Sequence, residues 1–212
     1  MKRPRHRGDF AFALFLGFIA GIPGGFAGEA RPAAPDHATL RVWLEPKFMH
    51  APVTAPIEGA QKTELAAGTL SETDCDVLPK SAFEALGLTW DEFRRQTQVN
   101  AAADLASITP HYERNASKVI DYAVLESKRP IVASAVLAPG FLETFKDTLG
   151  ETVLVVVPTR FTAFVFPKLA SEFGAFAPVV FRAYRGTAWP VSVEVFEVSA
   201  RGWKCVGAYT DR

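Results

Sequence analysis

The feature that most constrains this chain is an apolar stretch over residues 151–167, ETVLVVVPTRFTAFVFP. Residues 153–157 form an unbroken β-branched and apolar run, and after Pro158, Thr159 and Arg160 the chain resumes with the apolar segment 161–166. A run that is apolar on both faces is typical of a strand in the middle of a sheet covered on both sides. We therefore expect this stretch to be the centre of the protein, and the other segments to cover or extend its sheet.

The first 27 residues have the composition of a secretory signal peptide. Four basic residues precede an apolar segment over 10–22, and proline, glycine and other small residues follow it. That apolar segment would make a helix about 20 Å long, which is short of the ~30 Å hydrocarbon core, so a leader is favoured over an anchor. Cleavage is predicted after Ala27 or Ala30, and 28–38 is predicted as a linker. The mature protein is expected to be periplasmic or secreted, without a membrane span.

Composition and charge exclude several classes of protein. The 212 residues are 49% hydrophobic and 22% charged, as in a globular protein rather than a disordered one. Four of the 23 basic and one of the 23 acidic residues lie in the leader, which leaves a net charge of −3 on the rest. No strongly basic domain remains, so nucleic acid is not expected as a partner.

The remaining elements predict a single domain over 39–212. Residues 39–45 alternate as a half-buried strand, and 47–73 is expected to be a long loop or arm because it contains Pro52, Pro56, Gly59 and Gly68. Helices are predicted over 79–86, from Thr89 to Ala106 and over 141–149; the second begins with a Thr-x-x-Glu capping box.

The second half of the chain is expected to be rich in strands. We expect a hairpin from the runs 119–126 and 130–137, a short helical piece over 167–174, and strands over 179–184, 191–198 and 203–209. The order of these elements predicts an α+β fold, with a mostly antiparallel sheet and two or three helices packed on one face.

Two cysteines, Cys75 and Cys205, are candidates for a disulfide in an exported protein. The bridge would close a loop of about 130 residues and stabilise the fold by up to about 5 kcal/mol in the chain-entropy account. The alternative is two separate buried thiols, because sequence does not place the two Cα atoms within bridging distance.

Arg160 is the strongest candidate for a functional side chain, because it follows the most buried strand and could hold a carboxylate or phosphate. The alternatives are an exposed turn residue or an arginine paired with an internal acid. A hydrolase would use Arg160 for an oxyanion or carboxylate, His111 as a general base and a carboxylate such as Asp121. No metal-ligand spacing, nucleophile elbow or phosphate-binding loop occurs, so neither a metal nor a cofactor is predicted.

Four features occur in a fixed order between about Leu86 and Leu169: Trp90-Asp91-Glu92 at a helix start, a hairpin around Ala133-Ser134, a helix over 141–149, and Val157-Pro158-Thr159-Arg160 at a strand end. This order resembles a bacterial family of uncharacterised proteins whose central strand ends in V-P-x-R. That family usually has Asp after the arginine, where this chain has Phe161. The resemblance implies an α+β fold and carries no assigned activity or catalytic residue.

These observations favour an exported, non-enzymatic binding or accessory protein, with an unknown protein or small ligand as partner. A hydrolase of unrecognised type is the alternative. Whether Arg160, His111 and Asp121 line one pocket distinguishes the two.

Overall fold

The computed structural model describes residues 35–71, 75–170 and 173–210, so the predicted signal peptide and most of the linker lie outside the described residues. In chain order the described strands are β1 (Leu40–Pro46), β2 (Thr54–Pro56), β3 (Thr63–Leu70), β4 (Cys75–Val77), β5 (His111–Arg114), β6 (Ile120–Glu126), β7 (Val153–Thr159), β8 (Thr162–Pro167), β9 (Glu194–Ser199) and β10 (Gly202–Ala208). The described α-helices are α1 (Lys80–Ala85), α2 (Trp90–Ala106), α3 (Val132–Ala135), α4 (Phe141–Leu149) and α5 (Ala177–Arg185).

The larger of two antiparallel sheets is built around the predicted apolar stretch. That stretch forms the hairpin β7–β8, which occupies the middle of the strand order β10-β9-β7-β8-β6-β5. Val153, Val155 and Val157 belong to one apolar cluster, whereas Val156 belongs to a second, and all four are fully buried. Because successive residues of a strand face opposite sides, both faces of the sheet are covered at its centre.

Different helices cover the two faces. Buried residues of α2, α3 and α4 pack in the cluster that contains Val155, and the smaller sheet belongs to the same cluster. On the other face Val180 of α5 packs against Phe164 and Phe166. The predicted α+β class with mostly antiparallel pairing is therefore confirmed, with α1 to α4 on one face and α5 on the other.

Two strands of the smaller sheet, β2 and β3, lie within 47–73, which was expected to be a long loop or arm. β3 pairs with β1 along its full length, from Leu40 opposite Thr69 to Pro46 opposite Thr63, while β2 and β4 pair with its other edge. Two of the four residues that indicated a loop lie in these strands, and each has a local explanation. Pro56 lies in an edge strand, where the missing N–H is tolerated. Gly68 lies under the ring of Trp43, where an added Cβ would be 1.9 Å from a ring carbon.

Two further predictions are wrong in the second half of the chain. Residues 130–137 form no hairpin with β6, which pairs with β5 and β8; instead they contain the fully buried helix α3. The predicted strand 179–184 is part of helix α5, which has a proline in its first turn. A short apolar run does not distinguish a buried strand from a buried helix. The predicted helical piece over 167–174 overlaps only a 3-10 turn at Phe173–Phe176, and 171–172 lie outside the described residues.

The start of α2 agrees with the prediction. Thr89 Oγ1 accepts the backbone N–H of Glu92 at 3.4 Å, and Glu92 Oε2 accepts the backbone N–H of Thr89 at 2.9 Å. The Thr89 hydroxyl also donates to Glu92 Oε2 at 2.7 Å, and this bond, together with the one from the Thr89 backbone N–H, lowers the pKa of the Glu92 carboxyl. No helix within the described ranges is long and apolar enough to cross a bilayer.

Candidate functional site

Arg160 lies in the turn between β7 and β8, and its side chain points into the protein, with only 5% of the residue exposed. Its Nη2 donates to Glu45 Oε2 of β1 at 2.6 Å. Its Nη1 contacts Cys75 of β4, 2.9 Å from the Sγ and 3.3 Å from the carbonyl oxygen. The guanidinium therefore joins the turn of the larger sheet to two strands of the smaller one.

Two tryptophans enclose the guanidinium of Arg160. Its Cζ lies 4.8 Å from the ring centre of Trp43 and 5.0 Å from that of Trp189, which is 42% exposed and lies on the solvent side. Trp43 Nε1 also donates to Glu45 Oε2 at 2.7 Å, so one carboxylate oxygen accepts from both neighbours. Arg160 is thus already engaged by an internal acid, which is one of the alternatives that the sequence left open.

The other oxygen of Glu45 is not satisfied in the same way. Glu45 Oε1 is buried and has no hydrogen-bond partner among the described residues. Burying a carboxylate costs free energy, and a charged partner is needed to offset that cost. We call Arg160 and the residues that it contacts the arginine cluster: Trp43, Glu45, Cys75, Arg160 and Trp189. The role that these contacts indicate is structural, because they link the two sheets.

The other two proposed catalytic residues lie elsewhere. His111 is on the edge strand β5, where its Nε2 lies 3.0 Å from Glu113 Oε1 and 73% of its side chain is exposed. It pairs with Val124, which faces the second apolar cluster, whereas Trp43 and Cys75 belong to the first. Since directly paired residues project from the same face, His111 and Arg160 point to opposite sides of the sheet. Asp121 Oδ1 accepts from Asn115 Nδ2 at 3.1 Å on the exposed surface of the same hairpin.

Both cysteines are free thiols, so the proposed disulfide does not form. Cys75 is on β4 of the smaller sheet, against Arg160, whereas Cys205 is on the edge strand β10 of the larger sheet. Burial raises the pKa of the Cys75 thiol, although the Arg160 guanidinium acts in the opposite direction. Burial also raises the pKa of Cys205. A neutral, buried thiol is a poor nucleophile.

We therefore expect slow modification of both thiols in the folded protein. At pH 8 a thiol-specific reagent such as dithionitrobenzoate should react with half-buried Cys205 well before Cys75, and with both at once after unfolding in urea. Mass spectrometry of the labelled peptides distinguishes the two sites, and the Cys205→Ala variant isolates Cys75. Protein that remains unlabelled in urea without reductant would instead carry the bridge.

A groove runs along α5, the helix that packs on the other face of the larger sheet from Trp43 and Cys75. It consists of two neighbouring cavities of about 900 and 630 Å³. The larger is lined by Gly174, Ala175, Ala177, Pro178, Phe181 and Arg182 of the α5 region. The smaller is lined on its far side by Pro46, Lys47, Phe48, Gln61, Lys62, Tyr184 and residues 191–193. Both share Phe181, Arg185, Tyr209 and Thr210, so they are adjacent, and we call the two together the α5 groove.

The helical repeat of α5 explains how the groove is divided. Phe181 and Arg185 are four residues apart and therefore adjacent on the helix surface, and the Arg185 guanidinium lies 5.2 Å from the centre of the Phe181 ring. Arg182 lies beyond this ridge in the larger cavity, and Tyr184 lies on its other side in the smaller one. The ridge thus separates two ends of the groove.

The charged side chains that the structure describes along the groove all have the same sign. Among the described lining residues the charged side chains are Lys47, Lys62, Arg182 and Arg185, and none is acidic. Lys47 Nζ donates to the carbonyl of Ala60 at 2.9 Å. Within the described part of the chain, the side chains of Lys62 and Arg182 make no hydrogen bond or ion pair. An electropositive, partly apolar concave surface favours anionic ligands that have an apolar portion.

A buried acid holds one wall of the groove in place. Glu194 of β9 is buried, and its Oε1 accepts the backbone N–H groups of Gln61 at 2.7 Å and Lys62 at 3.1 Å. Its Oε2 is buried without a hydrogen-bond partner among the described residues. Glu194 is not itself a lining residue, so it fixes the backbone that carries Lys62 rather than presenting a carboxylate to the groove.

Sequence reasoning identified the arginine of the cluster but missed the α5 groove. The groove combines side chains from three distant segments, and one of these, α5, was predicted as a strand. The described residues contain no group of three His, Cys, Asp or Glu side chains placed to hold a metal ion. Comparison of the chain with models of known families, with curated proteins and with solved structures found no match. The resemblance to the V-P-x-R family stays a prediction.

Proposed function

We propose that this protein is an exported, non-enzymatic binding protein, and that the α5 groove holds an anionic small ligand with an apolar portion. The observation that carries the proposal is the groove's lining, in which four basic side chains and four aromatic residues occur without an acid among the described residues. The aromatic residues are Phe48, Phe181, Tyr184 and Tyr209. The basic and apolar composition of residues 1–27 supports export.

The hydrolase alternative has less support than binding. Arg160 already bonds to Glu45, and its face of the sheet is not the face of His111. A general base must reach the proton that it abstracts, and the exposed His111 pairs instead with Glu113. By contrast, the Lys62 and Arg182 side chains of the α5 groove make no hydrogen bond or ion pair within the described part of the chain.

The proposal is tested with two aromatic probes that differ in charge. We expect anilinonaphthalene sulfonate, an anion, to bind saturably to the full chain at low ionic strength, and more tightly than its uncharged analogue N-phenyl-naphthylamine. Reversing two charges, in Lys62→Glu with Arg182→Glu, should weaken binding of the anion at least about tenfold because both cations are lost. Added salt should weaken it in the wild type as well, by screening exposed charges.

The matched control is Lys128→Glu with Arg129→Glu, which makes the same change in net charge on two exposed residues outside the groove. It should leave the affinity for the sulfonate unchanged. Equal affinity for both probes in the wild type, or equal loss in the control and the groove variant, would contradict the proposal. Circular dichroism of each variant shows whether the fold is retained.

A further inference from the structure

We infer that the α5 groove selects elongated ligands that carry two anionic groups, one at each end of an apolar middle. This inference rests on the proposed function and adds the charge count and shape of the ligand. It follows from the way cations and aromatic side chains are distributed between the two ends of the groove.

Each end of the groove has its own cation. Arg182 lines only the larger cavity, whereas Lys47 and Lys62 line only the smaller one, and the ridge of Phe181 and Arg185 lies between the two ends. Lys47 Nζ is engaged by the carbonyl of Ala60, so Lys62 is the cation of that end without a hydrogen bond in the described part of the chain. A compact anion such as phosphate, held by Arg182, lies on the wrong side of this ridge to contact Lys62. Two separate anionic groups are therefore needed to use both cations.

Among the described residues, those that line both cavities include two aromatic rings, and the Arg185 guanidinium is their one charged group. Phe181 and Tyr209 line both cavities, and Tyr209 is buried. Burial raises the pKa of the Tyr209 hydroxyl, so this side chain stays neutral and does not repel an anion. An aliphatic or aromatic spacer that crosses the ridge would contact these two rings and bury apolar surface.

Two weak ion pairs made by one ligand increase its affinity more than either ion pair does alone. A single exposed ion pair contributes little to binding, because water and salt screen it. Once one anionic group is bound, the second meets its cation at a high effective concentration, provided that the spacer matches the distance between them. The groove should therefore favour a dianion over a monoanion of the same length and apolar surface.

The inference is tested by displacement of anilinonaphthalene sulfonate with dodecanedioate and dodecanoate, which share a chain length and differ by one carboxylate. In the wild type we expect dodecanedioate to bind at least about tenfold more tightly. Lys62→Gln and Arg182→Gln should each remove this preference while retaining binding of dodecanoate, which can use the remaining cation. The double variant should lose both, and Lys128→Gln should behave as wild type.

The outcomes distinguish a failure of the two-anion inference from a failure of the proposed anion binding. If the two acids bind the wild type equally, or if the preference persists in both single variants, the two-anion inference is overturned while anion binding stands. If neither acid displaces the probe, and the probe itself shows no preference for its charged form, both are overturned. Shorter and longer diacids then provide a second readout, because a preference set by two fixed cations should pass through a maximum with spacer length.

Discussion

Replacing Arg160 with methionine is expected to destabilise the protein by about 3–5 kcal/mol, because Glu45 then remains buried without its charged partner. The Arg160–Glu45 contact is 2.6 Å long, and both side chains are almost completely buried. The substitution also removes the stacking of the guanidinium between Trp43 and Trp189. Urea unfolding, followed by circular dichroism, measures the change in the free energy of unfolding.

The charged partner can be removed together with Arg160 to test the cause. Glu45→Gln combined with Arg160→Met leaves an amide oxygen that can still accept from the Trp43 indole and removes the unpaired charge. This double variant should recover much of the lost stability. Lys204→Met breaks the exposed Lys204–Glu58 pair and should cost less than about 0.5 kcal/mol. An Arg160→Met variant as stable as Lys204→Met would contradict the account of the arginine cluster.

Replacing Gly68 with alanine is expected to cost about 3 kcal/mol, at the upper end of the usual range for overpacking. The new Cβ would lie 1.9 to 2.6 Å from three ring carbons of Trp43, which is itself buried. The ring has to move, and its movement disturbs both its hydrogen bond to Glu45 and its contact with Arg160. Urea unfolding measures the loss, and tryptophan fluorescence reports the displacement of the ring.

Gly207→Ala is the matched control for this substitution. Gly207 is in a strand of the other sheet, has no positive φ, and has no atom within 4 Å of the position of an added Cβ. Its replacement should change the free energy of unfolding by less than about 1 kcal/mol. If the Gly68 and Gly207 variants lose the same stability, the close approach of Trp43 is not what requires glycine at position 68.

The parts of the fold that the sequence predicted are those in which one local pattern determines the outcome. Both faces of β7 are buried, so residues 153–157 are all apolar, and this composition is enough to predict a central strand. The capping box of α2 involves two residues three positions apart, whose chemistry at a helix start is independent of the rest of the chain.

The parts that could not be predicted depend on partners far away in sequence. A glycine at position 68 indicates a loop when the sequence is considered alone, and β3 was therefore not predicted. The structure shows that glycine is needed there because the ring of Trp43 lies over it. The burial of Arg160 depends on Glu45, which is 115 positions away. The α5 groove combines Lys62, Arg182 and Tyr209, and no local spacing relates them.

The arginine cluster makes the β7–β8 turn less tolerant of inserted residues than most hairpin turns. Turns between antiparallel strands are ordinarily where a chain accepts additional residues or the insertion of another domain. The β7–β8 turn carries the side chain that links both sheets, and its backbone also bonds to Val132 and Trp189. Lengthening it would withdraw that side chain from its acid, so sites for fusion or tagging are better sought in exposed turns such as 115–118.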